Sequence, residues 1–321
     1  MPLTSEGLMP HPGIASRYVQ LADGSIAHYM TAGETGPAVL LLHGGIPGSS
    51  GLAGARFQLT FLGEHGFRAY APDFPGYGLA DTRPRYWPML GRLSHLRFLK
   101  MFMDALAIDK AHMTGNSMGS TNTALFVVSH PERVHSYILV AGNIPGYVDP
   151  ARVKRTLSVN AVNREWFDGT TASMRRMVEP IIYRHETITD DLLEMRTKAA
   201  IAQRESLKAY HAGNDRLPSD PNLEQAVRIR GRLEQITHPH ILLWGANDVL
   251  NPVTNAYLQE DETPFMQYFY PEECGHQGQT DRPDLLNQVF LEFFKNGRLS
   301  RTTADAAGVS KRRPELPGII G

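Results

Sequence analysis

A single cysteine, Cys274, stands in the 321-residue chain, so no internal disulfide framework can be built. A lone thiol fits a reducing compartment. Met1–Gly13 lacks a basic segment followed by an apolar one, and no apolar run approaches the roughly 20 residues that a bilayer span requires. The chain is therefore expected to be cytoplasmic and to engage no membrane. An excess of one charge is missing too. The formal net charge is −1 and Lys and Arg are scattered, which removes the general electrostatic reason to bind nucleic acid. No histidine–carboxylate cluster has ligand spacing, and no glycine run matches a phosphate or dinucleotide loop, so no metal and no cofactor is expected. No internal repeat or low-complexity block stands out.

What is present is a chain 42% hydrophobic and 20% charged, enough to bury the core of one large α/β domain carrying an insertion. Residues 17–31 alternate apolar and polar positions around Asp23-Gly24, a hairpin signal at a sheet edge. Ala38–Leu42 is a continuous apolar run ending in His43-Gly44-Gly45-Ile46-Pro47-Gly48, and such a run reads as a strand covered on both faces. Residues 67–78 repeat the pattern of apolar strand and Pro/Gly loop, with a crossover helix expected over Leu52–Glu64 between them. Leu96, Leu99, Met103 and Leu106 recur at helical spacing within 93–106. Strands are expected at 111–114, 134–141, 240–248 and 264–270, and a helix at 283–294 with Gly297 past its end. This alternation implies a mostly parallel sheet with helices on both faces.

The domain boundaries follow from where that alternation stops. Residues 1–145 and 232–297 form the two parts of the core. From 146 to 231 no convincing strand appears and charges are frequent, which reads as an inserted helical cap with helices around 151–166, 172–184, 189–212 and 222–230. The tail, 298–321, contains KRRPELPG without apolar period and is expected to be loose or partner-dependent.

The chemistry centres on Gly115-Asn116-Ser117-Met118-Gly119, a G-x-S-x-G with strand before and helix after. Glycines two before and two after the serine leave room for a crowded strand-to-helix turn that lifts the Ser117 hydroxyl above the sheet. A serine needs a base, and His276 lies in the loop after the last strand, in Glu273-Cys274-Gly275-His276. The base needs a carboxylate, and Asp248 follows the strand before it. The order Ser117, Asp248, His276 is that of a serine hydrolase on an α/β sheet. Asp73 is the competing acid, although it precedes the serine. Gly45 and Met118 are the expected oxyanion donors through their N–H groups. His43 reads as a packing residue at the glycine loop, and Cys274 as a small core residue despite its place beside the base. Arg196 shares an apolar helical stripe with Leu192, Leu193, Ala199 and Ala200, so it either snorkels to a rim or faces a buried anion.

With LLHGGIPGSSG, DFPGYGLAD, GNSMG, the helical insertion and ECGHQ in place, the chain resembles the α/β-hydrolase superfamily over residues 17–297, and within it the meta-cleavage-product hydrolases and related monoalkyl phthalate ester hydrolases. The resemblance implies an α/β-hydrolase fold with an eight-stranded, mostly parallel sheet and a triad of Ser117, Asp248 and His276. It further implies Gly45 and Met118 as oxyanion hole, and Arg196, Asn116, Gly44 and Gln277 as substrate contacts. The partner it implies is a small aromatic molecule bearing a carboxylate, and a homodimer is left open. Two departures bear on the bond cleaved: Gln277 stands where that group has tryptophan, and Gly54 where it has asparagine. They place ester hydrolysis first, as for a monoester of an aromatic dicarboxylic acid, with carbon–carbon hydrolysis as the alternative. A receptor that keeps the triad for ligand sensing is a third reading.

Overall fold

The computed structural model describes residues 2–149, 151–153 and 167–321. Eight strands form one sheet: β1 Ala15–Gln20, β2 Ile26–Ala32, β3 Ala38–Leu42, β4 Arg68–Pro72, β5 Ala111–Asn116, β6 Val134–Val140, β7 His240–Leu243 and β8 Gln267–Phe269. Their spatial order is β1-β2-β4-β3-β5-β6-β7-β8. β1 and β2, and β2 and β4, pair antiparallel, and every later pair is parallel.

The uninterrupted AVLLL of β3 is explained by its two covered faces. Leu40 and Leu42 belong to the core on one side, Val39 and Leu41 to the core on the other. The first core takes in helix α2, Arg92–Ala105, and helix α3, Met118–Ser129. The second takes in helix α1, Gly51–Glu64, and the helix Pro283–Asn296. Because β3 and β5 are neighbours and their following helices leave to opposite faces, a crevice opens at their carboxyl ends. The glycine loop after β3, the serine turn after β5 and the loops after β7 and β8 all lie at that edge.

The β7 strand is shorter than the 240–248 expected, because Gly245 turns against the loop of the base. A Cβ there would lie 2.2 Å from the Gly275 carbonyl oxygen. The cap retains its helical character over Thr171–Val178, Asp190–Ala202, Arg204–Arg216 and Pro221–Ala226. The helix expected over 151–166 falls almost entirely outside the described residues. The stretch expected as one helix over 189–212 is broken at Gln203, whose buried side chain donates to the Ala80 carbonyl at 2.7 Å instead of facing solvent.

The tail differs most from expectation. Ser310 N–H donates to Tyr268 O and Tyr270 N–H donates to Gly308 O, so the segment covers the edge strand β8. Ion pairs hold it there, Arg312 with Glu260 and Asp261 and Arg313 with Asp261, while Arg301 pairs with Glu315 inside the segment. Leu299, Ala304 and Ala307 are also buried in the core, but as isolated apolar anchors without a period, which is why the sequence reads as loose. Among the described residues no helix is long and apolar enough to cross a membrane.

Asp73, at the end of β4, is fully buried and organises the same carboxyl edge. It accepts from Gly51 N–H at 2.6 Å, from Leu79 N–H at 2.7 Å and from His28 Nδ1 at 2.7 Å. Burial alone would raise this carboxyl, but the charge and hydrogen bond of His28 and the Leu79 N–H together hold it below the usual range. The stability it contributes is thus present above about pH 4 and lost as pH falls through the lower native value. Asp73→Ala should cost about 3–5 kcal/mol, since it strands a buried histidine and two N–H groups. Urea unfolding checks this, and a loss under about 1 kcal/mol would mean that these loops are held by other contacts.

Candidate active site

Ser117 sits between β5 and α3 with φ 57° and ψ −115°, a left-handed conformation that a side-chain-bearing residue adopts only when its surroundings impose it. The constraint is steric. A Cβ on Gly115 would lie 2.2 Å from the Gly119 carbonyl, and one on Gly119 would lie 2.2 Å from Leu42 O of the neighbouring strand. The Ser117 N–H is spent on Val140 O of β6 at 2.8 Å, so the turn is fastened from both sides.

His276 and Asp248 come together as the sequence implies. Nδ1 of His276 lies 2.7 Å from Asp248 Oδ2, and Asp248 Oδ1 accepts from the Asn251 N–H at 2.8 Å. Both residues are buried. A proton held on Nδ1 by the carboxylate leaves Nε2 as the basic nitrogen. Ser117 and His276 line one cavity of about 560 Å³, a size suited to a small-molecule substrate. No hydrogen bond joins them in this structure, and such pairs commonly tighten only around a bound substrate.

Gly45 and Met118, the expected oxyanion donors, are adjacent. A Cβ on Gly45 would lie 3.0 Å from the Met118 Cβ. The Met118 N–H opens α3, where no intrahelical acceptor is available. Tyr77 donates its hydroxyl to Gly45 O at 3.0 Å and fixes the glycine loop. Gly44, Gly45, Met118, Asn116 and Gln277 all line the cavity with the triad.

Asn116 does more than face substrate. Its Nδ2 donates to the His276 carbonyl at 2.7 Å, tying the loop of the base to the serine turn, while its Oδ1 has no partner. Asp281 is the residue that sequence reasoning missed. Its Oδ2 accepts from Gly275 N–H at 2.7 Å, and its Oδ1 accepts from the cap N–H groups of Tyr183 and Arg184 at 2.9 and 3.0 Å. Gln277 N–H donates to Ile181 O of the same cap segment. One buried carboxylate therefore joins the cap to the loop that carries the base. No spacing in the sequence marks it, since its partners are backbone groups, two of them in the cap 98 and 97 residues away.

Arg196 is 1% exposed and lies behind the glycine loop. A Cβ on Gly48 would meet the Arg196 carbonyl oxygen at 2.3 Å. Its Nε and Nη1 have no partner, and burial first, then the charge of Arg56, lowers its pKa to about 9. Arg56 is also buried, with carbonyl acceptors at Ala53 and Thr187. Two buried guanidinium groups thus face each other's charge, and among the described residues no carboxylate pairs with either. This settles the open choice at Arg196 against a snorkelling rim position.

The competing candidates fall away on geometry. Asp73 belongs to His28, whose Nε2 lies 3.1 Å from Ser16 Oγ, and Ser16 is part of the paired strand β1 rather than of a strand-to-helix turn. His43 has both ring nitrogens occupied, by Gly44 O and the Phe74 N–H, and burial lowers its pKa. Cys274 is fully buried, and burial raises its thiol to about 12, which leaves it inert. Among the described residues no group of three His, Cys, Asp or Glu could hold a metal ion.

Comparison with known proteins bears on the family and the fold. A family profile described as alpha/beta hydrolase fold matches residues 37–283. A 2-hydroxy-6-oxononadienedioate/2-hydroxy-6-oxononatrienedioate hydrolase of Paraburkholderia phymatum is 28% identical over 286 residues, covering 87% of this chain and 95% of that protein. Among solved structures, the 2-hydroxy-6-oxo-6-phenylhexa-2,4-dienoate hydrolase of Rhodococcus sp. strain RHA1 superposes with a TM-score of 0.71 at 23% identity, over 88% of this chain and 99% of that one. An esterase from Exiguobacterium antarcticum superposes almost as well, with a TM-score of 0.69 at 18% identity, over 88% of this chain and all of that one. The likeness to solved structures therefore establishes the fold without choosing between bonds.

Ser117→Ala should lower turnover by about 10⁴-fold or more, and Asp248→Asn by about 10⁴-fold through loss of the correct tautomer. The double variant should be no worse than Ser117→Ala, since the residues act as one unit. Single-turnover assays of the three proteins check this, and near-wild-type activity in either single variant would remove that residue from the triad.

Proposed function

We propose that this chain, which belongs to the α/β-hydrolase fold family, cleaves the carbon–carbon bond of an acidic 2-hydroxy-6-oxo-dienoate by hydrolysis. The observation that carries the reading is Arg196: a fully buried guanidinium with two unpartnered nitrogens, at the back of the glycine loop that also supplies an oxyanion donor. A buried cation without a counter-ion is costly unless an anion arrives with the ligand. The C1 carboxylate of a dienoate is such an anion. Gly48 packs on the Arg196 backbone, and the adjoining Ser49 lines the cavity with a hydroxyl that has no partner, so a carboxylate entering on that side meets Arg196 behind it. The relative named as a dienedioate hydrolase, matched over nearly its whole length, supports the same substrate class.

The chemistry follows from the groups in place. The dienol is first ketonised, its 2-hydroxyl proton moving to C5. His276 Nε2 then takes the proton of the Ser117 hydroxyl or of a water as oxygen attacks the C6 ketone. The oxyanion so formed lies at the Gly45 and Met118 N–H groups. The C5–C6 bond breaks, its electron pair delocalises toward the 2-oxo group beside the Arg196 charge, and the imidazolium returns a proton. One water is consumed and two acids leave.

Ester hydrolysis, the reading placed first on sequence alone, becomes the second. It keeps two observations in its favour. Gln277 lines the cavity where the resembling group carries tryptophan, and Gly54 lies on α1 where that group carries asparagine. An ester expels an alkoxide that His276 can protonate directly and needs no contacts for a dienol.

Supplying a yellow ring-fission dienone and a monoalkyl ester of an aromatic dicarboxylic acid in parallel separates the two. The expected outcome is loss of colour with slower acid release from the ester; rapid ester hydrolysis without decolourisation would make the ester reading primary. Arg196→Ala should raise KM for carboxylate-bearing substrates about ten- to a hundred-fold while changing neutral aryl esters little. Equal losses on both would mean that Arg196 serves packing alone.

A further inference from the structure

The loop that carries His276 lies between the core and the cap, and the hydrogen bonds of its backbone divide between them. Glu273 takes a left-handed φ of 56°, so the chain reverses just before the base. On the core side, Asn247 N–H donates to Cys274 O at 2.9 Å and Asn116 Nδ2 donates to His276 O at 2.7 Å. On the cap side, Gly275 N–H donates to Asp281 Oδ2 at 2.7 Å and Gln277 N–H donates to Ile181 O at 3.0 Å. The peptide that follows the base is therefore fastened to the serine turn by its carbonyl and to the cap by its N–H. Asp281 closes the helical turn Gly278–Asp281, and its other oxygen gathers the Tyr183 and Arg184 N–H groups. Gly275 lets the two segments meet: a Cβ there would lie 3.1 Å from Tyr183 N, 3.3 Å from Ile181 O and 3.4 Å from Asp281 Oδ2. Ile181 itself lines the cavity with Ser117 and His276.

From this geometry we infer that Asp281 is a positioning residue for the base: by holding the His276 loop to the cap segment 181–184, it sets the imidazole over Ser117. The inference rests on the proposed serine-hydrolase chemistry with His276 as base, and it holds whichever bond is cleaved. A carboxylate suits the task because both of its oxygens only accept. Two oxygens thus reach three N–H groups on two segments at once, whereas an amide in that place would turn its NH2 toward one of them. The Asp248 contact fixes Nδ1 of the base, and the peptide held by Asn116 and Ile181 O fixes the rotation of the loop about that contact. A general base works only within hydrogen-bond reach of the proton it takes, so a misplacement of about 1 Å costs on the order of a hundred-fold in rate. Since Ile181 also forms cavity wall, the joint brings that wall and the base into place together.

Two substitutions open the joint by different routes. Asp281→Asn keeps the volume and severs one side of it, while Gly275→Ala leaves the carboxylate in place and wedges the cap segment off the loop. Turnover of a yellow ring-fission dienone and of p-nitrophenyl acetate is measured on wild type, both variants and the double variant, with urea unfolding beside it. Each single variant should lower kcat about ten- to a hundred-fold on every substrate that wild type cleaves, with KM within about twofold because no substrate contact is removed. The double variant should be no worse than the worse single one, since both open the same joint. A kcat within about twofold of wild type in Asp281→Asn, beside a lowered urea midpoint, overturns the inference and leaves Asp281 a structural group. Additive losses in the double variant overturn it as well. A dienone left intact by wild type beside a hydrolysed ester counts against the carbon–carbon reading alone. Should Asp281→Asn fail to fold, Gly275→Ala decides by the same criterion. Hydrogen exchange adds an arm without turnover: in Gly275→Ala the segments 179–185 and 273–279 should lose protection together, and loss in only one of them ends the inference.

Discussion

The arrangement depends on one crowded turn. Between β5 and α3 the chain reverses in a single residue, and the space for that reversal exists only because Gly115 and Gly119 lie against each other and Gly119 lies against Leu42 O of β3. The strain at Ser117 is sustained by the parallel strands on either side, β3 through that close approach and β6 through the Ser117 N–H bond to Val140 O. The same constraint sets the oxyanion site. Since β3 ends beside β5, the glycine loop that follows it must pass over the first turn of α3, which brings Gly45 against Met118. The strained turn at Ser117 and the approach of Gly45 to Met118 are consequences of one packing solution.

A second layer of order joins the base to the cap. Asn116 holds the His276 carbonyl from the serine turn, and Asp281 gathers N–H groups from the His276 loop and from the cap segment at 183–184. Burial raises the Asp281 carboxyl in spite of these three donors, which marks it as a group whose ionised form the fold must work to keep. A displacement of the segment at 183–184 would therefore be felt at the His276 loop.

Charge is distributed in the cavity region with the same economy. Two arginines are buried behind the glycine loop and a third lines the cavity wall, with none of the three seen paired to a carboxylate of the described residues. Buried cations left without anions are unfavourable for the free protein, and they become favourable when an anionic ligand completes them. A molecule whose balance of Lys, Arg, Asp and Glu is nearly neutral overall thus concentrates local positive potential where substrate sits.

The sequence by itself determined the parts whose physics is local. Strands and helices follow from apolar period, the crowded turn at Ser117 from a pentapeptide whose glycines are a steric requirement, and the placing of Ser117, Asp248 and His276 at one edge from loops after successive strands. It also displayed Arg196 as a charge out of place on an apolar stripe, while leaving open whether that charge reached solvent or an anion. Tertiary structure decided the rest, because those contacts join residues far apart along the chain. The docking of the tail on β8, the break at Gln203, the link through Asp281 and the alignment of Arg92 by Asn214 all rest on side chains meeting groups that no short-range pattern predicts. A periodic pattern records which face of an element is buried. It carries no record of which distant backbone N–H or carbonyl a single polar side chain will find there, and that pairing is set only when the sheet has brought the loops to one edge.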